Sequence, residues 1–419
     1  MLRQRLTRFA VAARIAYAER GLAGGSRYIG RALHRKFNLL LQHEAAKRER
    51  TALRAALAQA RAVAPDGTTQ IALLISGGIG DQIVIARLMR DIHAQAGPVN
   101  FHIFVARPAI TKWVFSNVPG FLGAYCDSLF HLVYTDYQMA LRANSVLLTY
   151  AEQLHWNELT GNRRMAELAF TLICNRREVD DYVEPHPYRD GDLAREIVRA
   201  GRSRRDYLHH LAGISYGGDR LDVPRAPEIR ARMGLEGRAY VTVHNGFDTD
   251  FVVTGARATK CYPYFGAVVS RMRAARPDLL FVQVGTITSD PIAECDLRLI
   301  QQTSLPEVAA LIEGAALHLD NEGGLVHLAA ALGTRAAVVF GPTPSAYFGY
   351  SGNINIAPPV CGDCWWSTRS WMDKCPQGYE APLCMTMQAP GDVAARALTG
   401  LAMVPADAAQ RVGVLRAAE

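Results

Sequence analysis

The sequence predicts a two-domain α/β protein in which both domains are doubly wound, preceded by a helical N-terminal arm. Three observations predict this class. From residue 71 onward, short apolar runs typical of buried strands alternate with helical stretches. This alternation occurs twice, in two halves of similar size. The first 70 residues instead combine apolar residues at helical spacing with many basic side chains.

Composition supports two globular cores and excludes several other classes. The chain has 419 residues, of which 49% are hydrophobic and 20% charged, so it can bury sizeable apolar cores. Its apolar runs are much shorter than the roughly 20 residues that span a bilayer. The N-terminus lacks a signal-peptide core with a small-residue cleavage site. We therefore expect a cytoplasmic protein.

Residues 1–68 form the predicted arm, which accounts for the basic character of the chain. Residues 1–70 carry 14 of the 46 Lys and Arg residues but only 4 of the 39 Asp and Glu residues. The pattern is typical of two or three amphipathic helices interrupted once by GLAGGS. Basic amphipathic helices bind anionic membrane surfaces. A helical hairpin packed on the body and a self-association arm are the alternatives.

The first α/β domain is predicted for residues 69–222. It begins with the strand IALLIS, the tight turn GGIG and the helix DQIVIARLMRDIHAQAG. A second strand, NFHIFVA, is followed by PAITKWVFSN and then by HLVYT, which continue the alternation. The Gly- and Pro-bearing segment SYGGDRLDVPRAPEIR is the predicted linker to the next domain.

The second domain is predicted for residues 223–395, and residues 396–419 are a tail. Its strands are AYVTVHN, LLFVQVG, ALHLDN and AAVVFG, separated by helices. Two such domains suggest a cleft at the carboxyl ends of their strands, where ligands bind in doubly wound folds.

The segment SGGIGD links the first strand to the first helix. Gly78 and Gly80 let the backbone turn tightly and approach a ligand, but Ile83 stands where a dinucleotide fingerprint needs a third glycine. Asp81 lies at the start of the helix. It is either an N-terminal charge that stabilises the helix or a general base directed into the cleft.

The segment HLDNEGGLVHLAAALGTRAAVVFGPTP contains a strand, a glycine pair and a helix. Gly323 and Gly324 open this helix, whose free N–H groups and positive dipole end suit a diphosphate. Glu322, at the same end, could serve sugar hydroxyls or cap the helix. His327, in the first turn, could donate to a phosphate or pack within the protein.

Four cysteines lie close together near the C-terminus, in the segment 361–384. Four thiolates so near one another in a reducing cytoplasm suit a closed tetrahedral metal site. Zinc is preferred over iron, and the ion would be structural because no ligand position is left open for water. Four unligated thiols in a Trp-rich loop are the alternative. The predicted ligands are Cys361, Cys364, Cys375 and Cys384.

The motifs GGIGDQ, TKCYP and DNEGGLVHLAAALGT followed by VVFGPTP occur in this order between residues 71 and 395. They resemble the motifs of glycosyltransferase family 9, the bacterial heptosyltransferases that build the lipopolysaccharide inner core from ADP-heptose. The resemblance implies a GT-B fold, with two Rossmann-like domains facing a cleft. It also implies acceptor binding mainly by the first domain, nucleotide-sugar binding by the second, inversion of the anomeric centre and no catalytic metal.

The resemblance assigns roles to single residues. Asp81 matches the proposed catalytic base, and Gly78 and Gly80 form the loop near the acceptor. Lys260 matches the lysine that contacts the donor phosphates, although Tyr262 replaces the family tryptophan. Glu and Gly stand where the family has Asp and Ser or Thr, at the end that contacts the sugar. The residues implied in donor binding are Thr259, Lys260, Glu322, Gly323, Gly324, Leu325 and His327.

The resemblance therefore implies an inverting glycosyltransferase that transfers heptose from ADP-heptose to a lipopolysaccharide core or related surface glycan. Its acceptor would be lipid-linked, and the basic arm would hold the enzyme at the inner face of the inner membrane. An alternative acceptor is a protein, as in the similar autotransporter-modifying group, which carries a four-cysteine iron site. A non-catalytic scaffold with the same fold is a further alternative. We expect no nucleic-acid partner.

Overall fold

The structure is a computed structural model that describes residues 48–248 and 257–402. Most of the predicted N-terminal arm and of the tail therefore lies outside the described residues. The chain divides into two compact units, Met1–Ala64 with His131–Asp136, and Pro65–Phe130 with Tyr137–Glu419. In the first unit a helix, α1, covers residues 48–63. Arg54 in this helix forms an ion pair with Asp136, with 2.6 Å between Nε and Oδ2.

The second unit contains two sheets. The first has the strand order β3-β2-β1-β4-β5, in which all neighbours are parallel except β4 and β5. Its strands are β1 (Thr69–Ile75), β2 (Val99–Val105), β3 (Phe121–Cys126), β4 (Met139–Ala143) and β5 (Leu147–Thr149).

The second sheet has the order β11-β10-β9-β6-β7-β8, and every neighbouring pair is parallel. This is the strand order of a complete doubly wound fold. Its strands are β6 (Tyr240–Val243), β7 (Leu280–Gly285), β8 (Leu297–Ile300), β9 (Leu317–Asn321), β10 (Ala336–Val339) and β11 (Ile354–Ile356).

Helices connect the strands, as parallel neighbours require. In chain order after α1 they are α2 (Ile79–Ala96), α3 (Pro108–Phe115), α4 (Phe130–Val133), α5 (Trp156–Leu159), α6 (Arg163–Asn175), α7 (Asp180–Val183), α8 (Asp190–Arg199), α9 (Tyr207–Ala212), α10 (Glu228–Arg232), α11 (Phe265–Ala275), α12 (Leu305–Glu313), α13 (Gly324–Leu332), α14 (Ser345–Phe348), α15 (Leu383–Thr386) and α16 (Pro390–Ala402).

The prediction of two doubly wound domains is confirmed, but the segment HLVYT at residues 131–135 does not continue the sheet. It forms α4 and part of a short 3-10 turn, Tyr134–Asp136. The third parallel strand is instead β3, at the edge of the first sheet. Most side chains of β3 are exposed or only partly buried, and Gly123 interrupts it. The run FLGAYC is apolar, but it is short and has Gly123 in its middle, so its pattern does not distinguish a strand from a loop or part of a helix.

The order of the strands determines where the motifs lie. In the first sheet the direction of winding reverses between β1 and β4, and in the second between β6 and β9. Ligands bind at the carboxyl ends of strands beside such reversals. The turn containing Gly78 follows β1, and the segment containing Glu322 follows β9. Both motifs therefore lie at the switch points of their sheets.

Helices α2 and α13, which follow these two turns, pack against each other and join the two domains. One buried apolar cluster includes Val84 and Leu88 from α2 and Leu328 and Ala329 from α13. A Cβ atom on Gly324 would overlap the Cγ2 methyl of Ile79. The helix starts can lie this close only because Gly324 has no side chain.

We predict that Gly324→Ala destabilises the protein, because the added methyl forces apart α2 and α13. The free energy of unfolding should fall by about 1–3 kcal/mol, as is typical of overpacking. Denaturant unfolding followed by circular dichroism measures the change.

Gly323→Ala is the matched control. A Cβ atom there has no neighbour within 4 Å, and φ is 176°, an extended conformation that any residue adopts. Its free energy of unfolding should stay within roughly 0.5 kcal/mol of that of the unaltered protein. Equal losses in the two variants would contradict the close-approach argument.

Candidate active site

The N-termini of α2 and α13 meet at the candidate site. Gly78 and Gly323 are the residues that precede the two helices. A Cβ atom on Gly80 would lie 2.6 Å from Cδ2 of His327, so the imidazole occupies the space that a side chain would take. Each helix start presents unpaired N–H groups and the positive end of a helix dipole. Their meeting point is suited to bind an anion.

Asp81 lies at this junction and makes two hydrogen bonds. Its Oδ2 accepts from the backbone N–H of Gly78 at 3.2 Å, and its Oδ1 accepts from Nη2 of Arg204 at 2.7 Å. The Asp81 side chain is 39% exposed, whereas that of Arg204 is only 2% exposed. Arg204 also donates to the carbonyl oxygen of Asn144 at the end of β4. The carboxylate thus stabilises the helix start and is also held by a buried cation.

Lys260 and Glu322 form a buried pair across the second domain. Their Nζ and Oε2 atoms are 3.6 Å apart. Burial raises the pKa of Glu322, and the carboxylates of Asp81 and Asp320 act in the same direction, against Lys260. Burial acts to lower the pKa of Lys260, but Glu322 and the other acidic groups nearby, among them Asp320, together outweigh burial, so this pKa is raised. Because Asp81 of the first domain affects the pKa of Glu322 in the second, these two carboxylates are close enough to interact electrostatically.

Tyr262 anchors the loop that carries Lys260. Its ring is fully buried. Its backbone N–H donates to Oδ1 of Asn321 at 2.6 Å, and its hydroxyl donates to the carbonyl oxygen of Gln388 at 2.8 Å. Since Asn321 ends β9, the loop is fixed directly beside Glu322. The buried ring and these two hydrogen bonds together hold the loop in place.

Thr259 and Leu325, which the sequence places at the donor site, make structural contacts. The Thr259 hydroxyl donates to the carbonyl oxygen of Trp371 at 2.7 Å. The backbone N–H of Thr259 donates to the carbonyl oxygen of Met372 at 2.8 Å. Leu325 is partly buried and packs on the apolar cluster that joins α2 and α13. Thr259 thereby ties the Lys260 loop to the cysteine segment.

His327 lies in the first turn of α13 and is 5% exposed. Its Nδ1 is 2.6 Å from the hydroxyl oxygen of Tyr350. Burial lowers the pKa of His327 to about 3, and Arg87 acts in the same direction. The imidazole is therefore neutral at physiological pH. The sequence left open whether His327 donates to a phosphate or packs within the protein. In the structure its ring lies at the junction and is also part of the packing between α2 and α13.

Sequence reasoning missed several charged or polar residues of this site. Arg204 and Tyr350 are brought to the site from outside the recognised motifs, and Arg87 lies one turn beyond GGIGDQ. A further buried group is Asp320, whose carboxylate accepts from His244 at 2.8 Å and from His318 at 3.2 Å. Its position near the end of a buried strand, where ligands bind in such folds, could have indicated Asp320 as a site residue. The others carry no local pattern that distinguishes them from surface residues.

The four clustered cysteines are close enough to influence one another. Burial raises the pKa of the Cys384 thiol to about 12, and Cys361, Cys364 and Cys375 all act in the same direction. Burial raises the pKa of Cys364 to about 11, with contributions from Cys375 and Cys361. All four are free thiols. Over residues 48–248 and 257–402, however, no group of three or more His, Cys, Asp or Glu side chains has an arrangement that could hold a metal ion.

One protein-family profile matches part of the chain. Residues 284–358 match the profile of glycosyltransferase family 9 (heptosyltransferase). They contain Glu322, the start of α13, His327 and Tyr350, whereas Asp81, Lys260 and the four cysteines lie outside them. None of the curated proteins with which the sequence was compared matches it.

The fold matches solved GT-B glycosyltransferases. The ADP-heptose lipopolysaccharide heptosyltransferase II of E. coli aligns with a TM-score of 0.50 and 13% identity, covering 80% of this chain and 98% of that one. The iron-containing dodecameric glycosyltransferase TibC of enterotoxigenic E. coli also aligns with a TM-score of 0.50 and 13% identity, covering 80% of this chain and 76% of that one. At this identity the likeness shows the fold. No helix in the described parts of the chain has the length and hydrophobicity needed to cross a membrane.

We predict that the neutral state of His327 makes the protein sensitive to acid. The folded pKa is about 3, whereas the ordinary value is 6.5. Below pH 6.5 the unfolded chain therefore binds a proton that the folded chain does not, and the free energy of unfolding falls as the pH falls. His327→Gln should reduce this dependence by up to about 1.4 kcal/mol per pH unit.

Denaturant unfolding at a series of pH values measures the slope. His102→Gln is the matched control, because burial also lowers the pKa of His102, to about 4, at a position inside the first sheet. It should reduce the acid dependence in the same way. An identical slope in the His327→Gln variant and the unaltered protein would show that the pKa of His327 is the same in the folded and the unfolded chain, and would contradict the prediction.

Proposed function

We propose that the protein is an inverting glycosyltransferase that transfers heptose from ADP-heptose to a lipopolysaccharide core or a related surface glycan. The observation that carries the proposal is the convergence of Asp81, from the first domain, with Lys260, Glu322 and His327, from the second. They lie where two helix N-termini meet. This arrangement offers a carboxylate, a cation and helix N–H groups to one ligand site.

In the proposed donor site, Lys260 and the N-terminus of α13 bind the diphosphate of the nucleotide-sugar. A buried ammonium group beside a positive dipole end offsets the charge that develops on the leaving diphosphate. Glu322 contacts the sugar hydroxyls while its pairing with Lys260 keeps its side chain in place. Since the chain supplies these positive charges itself, we propose no catalytic metal.

In the proposed reaction, Asp81 accepts the proton of the acceptor hydroxyl. The acceptor oxygen then forms a bond to the anomeric carbon, and the bond from that carbon to the donor phosphate oxygen breaks. The electron pair leaves with ADP. Attack opposite to the leaving group inverts the anomeric centre. Arg204 holds one carboxylate oxygen of Asp81, and the carboxylate keeps further lone pairs for the acceptor.

We predict that ADP binds in preference to UDP, GDP and CMP, and that Lys260→Ala weakens ADP binding at least roughly tenfold because a charge-assisted contact is lost. Asp81→Asn should bind ADP as the unaltered protein does but lose roughly 10²–10⁴-fold in transfer rate. Isothermal titration calorimetry measures binding, and release of ADP from ADP-heptose with a lipopolysaccharide core acceptor measures transfer.

Lys112→Ala is the charge-matched control for nucleotide binding, since Lys112 is an exposed residue of α3. Its affinity for ADP should be unchanged. If the folded protein binds none of the four nucleotides, a non-catalytic scaffold replaces this proposal. Binding of ADP-heptose without transfer to any glycan acceptor would instead favour a protein acceptor.

We also propose that Cys361, Cys364, Cys375 and Cys384, which do not form a metal-binding arrangement in the structure, rearrange to bind a structural metal, with zinc preferred over iron. The donor set supports this, because clustered thiols that raise one another's pKa ionise together only if a cation offsets their charge. Iron is the alternative, supported by the likeness of the fold to the iron-containing glycosyltransferase TibC. Bound by these thiolates, the ion would hold the segment 361–384 together; it has no part in the transfer step.

We predict that the purified protein contains about one metal ion per chain, and that Cys364→Ser loses the metal and lowers the melting temperature. Elemental analysis and differential scanning calorimetry provide the readouts. Cys295→Ser is the control, because Cys295 is a buried thiol outside the segment. A metal-free protein whose melting temperature is unaffected by Cys364→Ser would exclude the metal.

For the basic arm we propose peripheral contact with the inner face of the inner membrane, where a lipid-linked acceptor is located. The excess of Lys and Arg in residues 1–70 supports this proposal. Such contact would place the protein in the cytoplasm. Residues 1–47 lie outside the part that the structure describes, so the proposal rests on sequence alone.

A further inference from the structure

Tyr350 connects two buried residues of different domains, Arg87 in α2 and His327 in α13. Nη1 of Arg87 donates to the Tyr350 hydroxyl at 2.8 Å, and that hydroxyl is 2.6 Å from Nδ1 of His327. Nη2 of Arg87 also donates to the carbonyl oxygen of His327, at 3.4 Å. Arg87 and Tyr350 are almost completely buried. The three side chains form one hydrogen-bonded chain that ends at the junction of the two helices.

The protons available in this series of hydrogen bonds determine which group donates and which accepts in each of them. A guanidinium group can only donate, so the phenol oxygen accepts from Arg87. Burial raises the pKa of Tyr350, so the phenol keeps its own proton. Nδ1 of His327 is the remaining partner of the hydroxyl, and as an acceptor it satisfies that proton. If Nδ1 carried a proton instead, the phenol oxygen would accept from two donors and its own proton would be unpaired in a buried site.

We propose that Tyr350, held by Arg87, is a positioning residue that fixes His327 in the tautomer with its proton on Nε2. The other ring nitrogen, Nε2, is then free to donate a hydrogen bond to the ligand. Nε2 lies 3.3 Å from the point that a Cβ atom on Gly80 would occupy, beside the start of α2. Among residues 48–248 and 257–402 it makes no hydrogen bond within the protein. Its N–H is therefore available to an anionic oxygen at the junction.

The tautomer decides whether His327 attracts or repels such a ligand. With the proton on Nε2, the ring is a neutral donor that binds a phosphate oxygen without competing with Asp81 for the proton of an acceptor. With the proton on Nδ1, a lone pair would face the same oxygen. This inference rests on the proposed donor site for the identity of the ligand, but the tautomer itself does not depend on it.

The tautomer can be measured without any ligand, by ¹⁵N NMR of protein labelled at histidine, with the His327 signals assigned through His327→Gln. In the unaltered protein we expect a protonated Nε2 and an unprotonated, hydrogen-bonded Nδ1. Tyr350→Phe should shift the Nδ1 signal and populate the second tautomer, while it keeps the ring over which Arg87 and Arg205 lie. A proton on Nδ1 in the unaltered protein, or an unchanged spectrum in Tyr350→Phe, overturns the proposal.

Calorimetric titration with ADP tests the consequence through a double-mutant cycle. Tyr350→Phe should weaken ADP binding roughly five- to tenfold, but should have no further effect in a His327→Ala background. Equal losses in both backgrounds would mean that Tyr350 acts only on the structure, and would overturn the proposal. If the unaltered protein binds no ADP, the proposed function fails and the NMR result alone decides the role of Tyr350.

Tyr240→Phe is the matched control for the loss of a buried phenol hydrogen bond. Its hydroxyl donates to the carbonyl oxygen of Leu311 at 2.7 Å, at the start of β6 and away from the junction. This variant should lower the melting temperature while leaving both the His327 signals and the affinity for ADP unchanged. A change in either would mean that general loosening of the fold explains the effect of Tyr350→Phe.

Discussion

The close approach of α2 and α13 is the constraint on which the site depends. Gly80 and Gly324 have no side chains, so the two helix starts can meet and the imidazole of His327 can fit between them. The approach brings together two switch points that belong to different sheets. It also places two positive dipole ends at one point, where a bound anion would stabilise both. The catalytic proposal and the packing of the domains therefore depend on the same contact.

The charged side chains at this junction form two ion pairs, Arg204 with Asp81 and Lys260 with Glu322, which differ in burial and in distance. Arg204 holds Asp81 by a short hydrogen bond, and this carboxylate remains accessible. Lys260 and Glu322 are both less exposed than Asp81, and their charged atoms are farther apart, at 3.6 Å. Such a pair loses the hydration of both ions without gaining a short hydrogen bond. A ligand that brings negative charge to Lys260 and hydroxyl groups to Glu322 would satisfy both groups better than they satisfy each other.

The cysteine segment contacts the proposed donor site through main-chain atoms rather than through its thiols. Trp371 and Met372 offer their carbonyl oxygens to Thr259, which directly precedes Lys260. On its other side, Trp366 packs edge-on against Tyr188 in the first domain. The segment thus contacts elements of both domains. Any ion or bond that makes the cysteine segment more rigid would also restrict the motion of the Lys260 loop. This gives a physical reason for a structural segment so close to the site.

The sequence by itself determined the fold class, most of the buried strands and the motifs at the carboxyl ends of β1 and β9, because periodicity, glycine pairs and helix starts are local properties. It could not identify the edge strand β3, because a short apolar run with a glycine in its middle does not by its pattern distinguish a strand from a loop. Nor could it identify Arg204, Arg87 or Tyr350, because each reaches the site through contacts between residues far apart in the chain. Only the tertiary structure decided which charges are paired and which nitrogen of His327 faces the site, since burial and hydrogen-bond partners are set by packing.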